Sequence, residues 1–231
     1  ANCFKDITHI VHLAGAGIAE KAWTKKRKKI IVKSRVLTSR LLHSKISTLN
    51  LNISVFISAS AVGIYGAQVS DKIFTEEDQA FEDFMGNCCK QWENAVDQFK
   101  PITRTVKFRL GVILDENHGA LPRIANMVKN SLGSPLGDGK QYMPWIHIAD
   151  AVNLFFEAIL KKNISGTFNA VSGDFINNRN LIMKIGEELN KKIWLPNVPS
   201  FVLKFLYGEM SDTILKGVKV SNKKIKAAGF Q

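Results

Sequence analysis

His147 and Tyr65 are the side chains whose type and setting most suggest proton transfer. In WIHIAD a single titratable ring stands between apolar residues just before a helical stretch, where its imidazole can donate to a bound molecule. A structural hydrogen bond to Asp150 or to backbone satisfies it equally well, and Asp150 itself suits a helix's first turn, with capping as its plainer role. Tyr65 lies in the small-residue stretch SASAVGIYG, within reach of any pocket that Ser60 faces. An aromatic ring packed against its own loop is the preferred reading there. The three cysteines, Cys3, Cys88 and Cys89, are a sparse, odd set with no paired base in view, so idle thiols are expected rather than a nucleophile, a disulfide or a metal site.

These residues need a scaffold, and the chain alternates strand and helix at the pitch of βαβ units. HIVHLAG (9–15) ends an apolar run in small residues, as a buried parallel strand does. Helical spacing of Ile30, Ile31, Leu37, Leu41, Leu42 and Ile46 follows, with Thr24 as the expected cap. A strand over 53–57 leads into 58–66, read as a strand-end loop because its small residues suit neither a packed strand nor a good helix. Phe84, Cys88, Trp92, Val96 and Phe99 recur in threes and fours after an acidic opening at 75–83, and TRTVKFRLGVIL (103–114) reads as the next central strand. Helices at 121–131, 148–160 and 177–190, a short strand at 166–173 and a final helix ending before Gly229 complete the expectation.

This alternation predicts an α/β fold, a Rossmann-like, mostly parallel sheet with flanking helices. Ligands on such sheets approach the carboxyl ends of strands. Leu13, Ala14 and Gly15, with Arg109, Leu110 and Gly111, are therefore candidates for close backbone approach to a ligand; Trp23 and Trp145 are candidates for the walls of a substrate pocket or, equally, ordinary core or interface residues.

At 231 residues and 45% apolar composition the chain can bury a substantial core. No apolar run is long enough to span a membrane and no secretory leader is visible, which sets the cytoplasm as the expected location. The net charge of +12 concentrates at Lys21, Lys25, Lys26, Arg27, Lys28 and Lys29, continuing through Lys33, Arg35 and Arg40. No zinc spacing or stacking-strand motif accompanies this patch. A solvated helix face is expected in preference to a nucleic-acid surface, with attraction of an anionic cofactor or substrate as a further role open to it.

The ordered pieces HLAGAGIAEKAW, KSRVLTSRLL, SASAVGIYG, CKQWE, RLGVIL, GALP, GSPLGDGKQYMPWIHIAD, GEMSD and VSNKKIKAAGF resemble one family through the whole chain. It is the epimerase-like branch of the extended short-chain dehydrogenases/reductases, known as predicted nucleoside-diphosphate-sugar epimerases. The resemblance implies NADP or NAD as cofactor, NADP slightly preferred, and oxidoreductase or nucleotide-sugar epimerase chemistry on a nucleotide sugar or carbonyl compound. It also implies an incomplete NAD(P)-binding domain over 1–132, and a mixed region over 133–231 that supplies the substrate loop, the remaining sheet and helix elements and a small C-terminal substrate lobe. The family's opening strand and Gly-rich turn have no counterpart here, so the first βαβ portion is expected to be missing, and the end after Gln231 looks early.

The resemblance assigns the positioning serine to Ser60, with Ser58 beside it, and cofactor contacts to Leu13, Ala14, Gly15, Ser58, Ala59, Lys90, Arg109, Leu110 and Gly111. The family's Tyr-x-x-x-Lys pair is absent, Met85 and Cys89 falling near its positions. Hydride transfer to a carbonyl needs a proton donor that a methionine cannot be, leaving Tyr65, His147 or Lys90 to replace it. Lys90 is alternatively a solvated residue or a ribose contact. A homodimer through the helices around 33–42 and 84–96 is also implied. The alternatives to an enzyme are a non-catalytic dinucleotide-binding or regulatory relative and an inactive fragment.

Overall fold

A computed structural model describes residues 4–230. Cys3 lies outside the described residues.

The chain opens with a βαβ unit: β1 (His9–His12), α1 (Lys25–Thr48) and β2 (Val55–Ala61). This overturns the expectation that the first βαβ portion is missing, because β1 and β2 pair in parallel, His9 beside Val55 and His12 beside Ser58, joined by the α1 crossover. Thr24 caps α1 as expected, its hydroxyl accepting from Arg27 N at 3.1 Å. The sheet continues through β4 (Arg104–Leu110) to β7 (Gly166–Ala170), giving a four-stranded parallel sheet in the order β1-β2-β4-β7.

Two layers of helix cover it. On one face lie α1 and α2 (Phe84–Asp97), burying Phe56, Trp92, Val96 and Phe99, with Phe56 stacked on Phe99 at 3.7 Å between centroids. On the other lie α4 (Ile148–Leu160) and α8 (Lys223–Ala227), over Val55, Ile57, Val106, Phe108 and Phe168. Alternation along β2 and β4 explains both faces, since successive side chains point to opposite sides of a strand. Each fully buried Phe contributes about 1.5–3 kcal/mol over an exposed one.

Two expectations shift in register. Ser58–Ala61 continue β2 instead of forming a loop, and only Val62–Tyr65 turn away, as a single 3-10 turn. Small residues fit there because the strand is covered on both faces, Ser58 being wholly buried. The run 103–114 also divides at Gly111, after which β5 (Val112–Leu114) pairs with β6 (Trp145–His147) in a separate two-stranded sheet. A Cβ at Gly111 would lie 2.7 Å from Pro144 O, so this close backbone approach requires glycine.

A third small sheet joins β3 (Val69–Phe74) to β8 (Gly217–Val220) and ties the segment after β2 to the C-terminal region. Outside these sheets lie α3 (Ala120–Lys129), which packs against α5 (Asn178–Glu188), and in the C-terminal region α6 (Ser200–Tyr207) and the one-turn α7 (Asp212–Leu215). Among the described residues, no helix is long and apolar enough to cross a membrane.

Candidate active site

Near the carboxyl ends of the central strands, register aligns three polar side chains in one row: Ser60 on β2, Arg109 on β4 and Asn169 on β7. All are buried, so each must find partners inside the protein. Glu93 reaches in from α2 and accepts from Ser60 Oγ at 2.7 Å and from Arg109 Nε and Nη2 at 2.8 and 3.0 Å. Arg109 Nη1 donates to the Tyr65 hydroxyl at 3.0 Å and to Glu76 O at 3.1 Å. The Tyr65 hydroxyl lies 2.6 Å from Asn169 Oδ1 and 2.9 Å from Thr75 O, both acceptors for its single proton.

The charges in this row hold each other in place. Burial acts to raise the Glu93 carboxyl's pKa, but hydrogen bonds and charge from Arg109, helped by Lys107 and Ser60, outweigh it and hold the group below the usual carboxylate range. For Tyr65 the balance is opposite: burial pushes the phenol up to about 12 against the attraction of Arg109. A second row lies behind, where the buried His12 contacts Ser58 Oγ at 3.2 Å and Thr38 Oγ1 at 3.0 Å, and burial lowers its pKa.

Beyond the row opens a cavity of about 220 Å³, lined by Trp23, Ala67, Phe81, Asp83, Phe84, Met85, Glu209, Asp212, Thr213 and Lys216. Four chain segments meet there: the stretch after β1, the turn after β2, the start of α2, and the turn leading through α7. Trp23 and Phe84 form an edge-to-face pair with centroids 4.8 Å apart, and Trp23 Nε1 donates to Ile18 O. Asp83 caps α2, its two oxygens accepting from Gly86 N at 2.7 Å and Ala67 N at 2.8 Å. Lys28 pairs with Glu209, and Lys216 with Asp212 at 3.1 Å.

Comparison with known proteins gives this arrangement its context. The chain is 34% identical over 98% of its length to the epimerase family protein YfhF of Bacillus subtilis, of which it covers 75%. The chain belongs to the epimerase family. It is also 33% identical, over its whole length, to the chloroplastic epimerase family protein SDR39U1 homolog of Arabidopsis thaliana, and spans 66% of that relative. Among solved structures it is similar to the human epimerase family protein SDR39U1 (isoform 2) with NADPH. There the TM-score is 0.89 at 28% identity, covering 97% of this chain and 77% of that one. A nucleoside-diphosphate sugar epimerase from Corynebacterium glutamicum superposes with a TM-score of 0.79 at 26% identity over all of this chain and 44% of its own. Residues 198–231 match a domain of unknown function (DUF1731).

In this epimerase-family chain the candidate residues separate into distinct places. Ser60, Tyr65 and Arg109 meet in the buried row. Trp23 lines the cavity, while Trp145 does not and lies on β6. Lys90 is exposed on α2. His147 is also exposed and is the residue that caps α4, its Nδ1 accepting from Ala149 N at 3.2 Å, so the cap expected at Asp150 moves to His147 and Asp150 stands in the first turn. Cys88 and Cys89 are buried, and burial raises both thiols above their ordinary pKa. Among the described residues, no group of three or more potential ligands is arranged to hold a metal ion.

Sequence reading passed over Glu93, Asn169 and Glu76, which complete the row, and the charged residues of the cavity wall. GEMSD carried a signal, since it places two acids beside one helix turn.

Replacing Tyr65 with phenylalanine removes a hydroxyl bound to three protein groups and leaves the buried Asn169 and Arg109 each short of a partner. A loss of about 1–3 kcal/mol in unfolding free energy is expected, read by urea denaturation. An unchanged midpoint would refute the structural importance of this contact.

Proposed function

We propose that this epimerase-family chain serves as an NAD(P)-dependent oxidoreductase or epimerase, NADP being the preferred dinucleotide. The observation that carries the reading is the fold shared with the human relative, whose structure was solved with NADPH. The dinucleotide is assigned to the carboxyl ends of β1, β2 and β4, where parallel α/β sheets receive ligands.

The residues at that edge fit such a group. Leu13 is 62% exposed, and the backbone following it is pinned from α1: Ser34 Oγ accepts from Ala16 N at 2.9 Å, and Arg35 Nη1 donates to Ala16 O at 3.1 Å. A Cβ at Gly15 would stand 3.0 Å from Arg35 Cζ. Leu13, Ala14 and Gly15 thus offer a fixed, open ledge for close approach, with Leu110 and Gly111 assigned beside them. Ser58, Ala59 and Arg109, on the neighbouring strands β2 and β4, are assigned with them as cofactor contacts, and Lys90 is a candidate ribose contact from α2.

When bound, the cofactor supplies hydride transfer. This chain's own contribution is to hold the substrate in the cavity and exclude water with the Trp23–Phe84 pair. Ser60 and Tyr65 are assigned to positioning through the Glu93–Arg109 pair, and His147 and Lys90 remain candidates for proton transfer. A homodimer across α1 and α2, a cytoplasmic location and a small-molecule partner belong to the same proposal.

Titration of the protein with NADPH and NADH, followed by tryptophan fluorescence, tests it. Saturable binding, tighter for NADPH, is expected, and a folded sample that binds neither would overturn the reading. A second reading, dinucleotide binding without turnover, is favoured by two observations: the Tyr65 hydroxyl is committed to protein partners, and α2 carries no tyrosine. Binding without turnover across carbonyl compounds and nucleotide sugars would select it.

A further inference from the structure

The cavity's charge is at odds with that of the rest of the chain. A protein of net charge +12 places three carboxylates and a single ammonium on this wall: Asp83, Glu209, Asp212 and Lys216. Neither neighbouring cation is free to bind an anion. Lys216 is held by Asp212, and Lys28, which stands 4.9 Å from the centre of the Phe84 ring, is held by Glu209. Asp83 has both oxygens occupied by backbone N–H groups. A phosphate entering here meets paired cations and nearby carboxylates, whereas phosphate sites present free Arg, Lys or backbone donors.

Size points the same way. At about 220 Å³ the cavity lies below the roughly 300–1,000 Å³ typical of drug-sized ligand sites. Apart from Thr213, its remaining wall is apolar, formed by Trp23, Ala67, Phe81, Phe84 and Met85.

We propose that this cavity selects a small, uncharged carbonyl compound or its alcohol, with an apolar face against Trp23 and Phe84, and rejects phosphorylated and nucleotide-linked sugars. The inference rests on the cavity being the substrate site of the proposed oxidoreductase. Selection comes from the excess of carboxylates: three acids face two lysines, leaving a negative wall that repels an anion, while Glu209 and Asp212 can accept hydrogen bonds from a neutral hydroxyl.

A matched pair of probes tests the charge rule without any cofactor: 4-acetylbenzamide, which is neutral, and 4-acetylbenzoate, of nearly the same shape but anionic. Their binding to the full chain is followed by ligand-observed NMR, with UDP-glucose as competitor. The benzamide is expected to bind at least ten-fold more tightly than the benzoate, and UDP-glucose is expected not to displace it. Trp23→Ala should weaken benzamide binding, placing it in this cavity. The double variant Glu209→Gln, Asp212→Asn, made at half-exposed side chains, should abolish or reverse the preference for the benzamide, because it also frees Lys28 and Lys216 to meet the benzoate. In the unaltered chain, equal or tighter benzoate binding, displacement by UDP-glucose, or no benzamide binding would overturn the proposal. Because these probes are read without dinucleotide, failure of the NADPH titration sinks the cofactor reading alone, and failure of the charge rule leaves that reading standing.

Discussion

Arg109→Met is expected to lower the unfolding free energy by about 3–5 kcal/mol, the cost of leaving one partner of a buried ion pair uncompensated. Arg109 is 6% exposed and gives Glu93, also 6% exposed, two short hydrogen bonds. What remains near Glu93 is Ser60 and, at 3.6 Å, Lys107, which is itself engaged by Asp97 at 2.7 Å. Urea unfolding at neutral pH reads the loss, and a change below about 1 kcal/mol would show that the pair does not hold the row together. Removing both charges, as Arg109→Met with Glu93→Met, should recover much of the stability, since a buried pair replaced by apolar groups of similar volume is often near neutral. The effect depends on pH with a definite sign. The folded pKa of Glu93 lies below its ordinary value, so its stabilisation is present above about pH 4.3, the unfolded value, and is lost as pH falls through the folded pKa. The stability difference between wild type and Arg109→Met should therefore shrink toward acid pH.

That ion pair also shows where reading the sequence stops. Periodicity located α1, α2 and α4 and the central strands because each buries one face or both, and apolar spacing records that burial directly. Thr24 was legible as a cap because capping is local. The row of Ser60, Arg109 and Asn169 was not, because its members are adjacent only through strand register, and Tyr65 and Asn169 are 104 residues apart in the chain. In β4, Lys107 and Arg109 look like the polar half of a strand with one solvated face, yet α2 covers that face and supplies the acids. The strands β3 and β8 escaped notice for a related reason. VSDKIF is short and largely exposed, so it carries no apolar run, and its pairing with GVKV is a tertiary contact. The expectation that the first βαβ portion is missing failed on the same ground: it was framed by a family motif, while β1, α1 and β2 make a parallel crossover unit from their own residues.

Gly86→Ala offers a second large effect, and its sign is the informative part. Within a helix this change ordinarily stabilises by about 1 kcal/mol, because glycine loses more backbone entropy on folding. At residue 86 a Cβ would lie 2.1 Å from Phe81 O and 2.9 Å from Phe81 C, so the contact is with backbone and no rotamer change relieves it. Nor can Phe81 retreat freely. Its N–H donates to Ile64 O at 2.9 Å, and its ring occupies the space where a Cβ on Gly66 would stand, 2.3 Å from Phe81 Cδ1. Overpacking of this kind costs about 1–3 kcal/mol, which offsets and exceeds the helical gain, so a net loss of about 1 kcal/mol, and up to about 2, is expected in urea unfolding. The same displacement moves a wall of the cavity, since Phe81 and Asp83 both line it and Asp83 caps the turn that contains Gly86. Binding of 4-acetylbenzamide should therefore weaken along with stability. Asn94→Ala, at an exposed position on the same helix, should do neither. If Gly86→Ala stabilised the fold as an ordinary helical glycine does, the close approach of the Phe81 backbone to α2 would be wrong, and with it the shape assigned to the cavity wall.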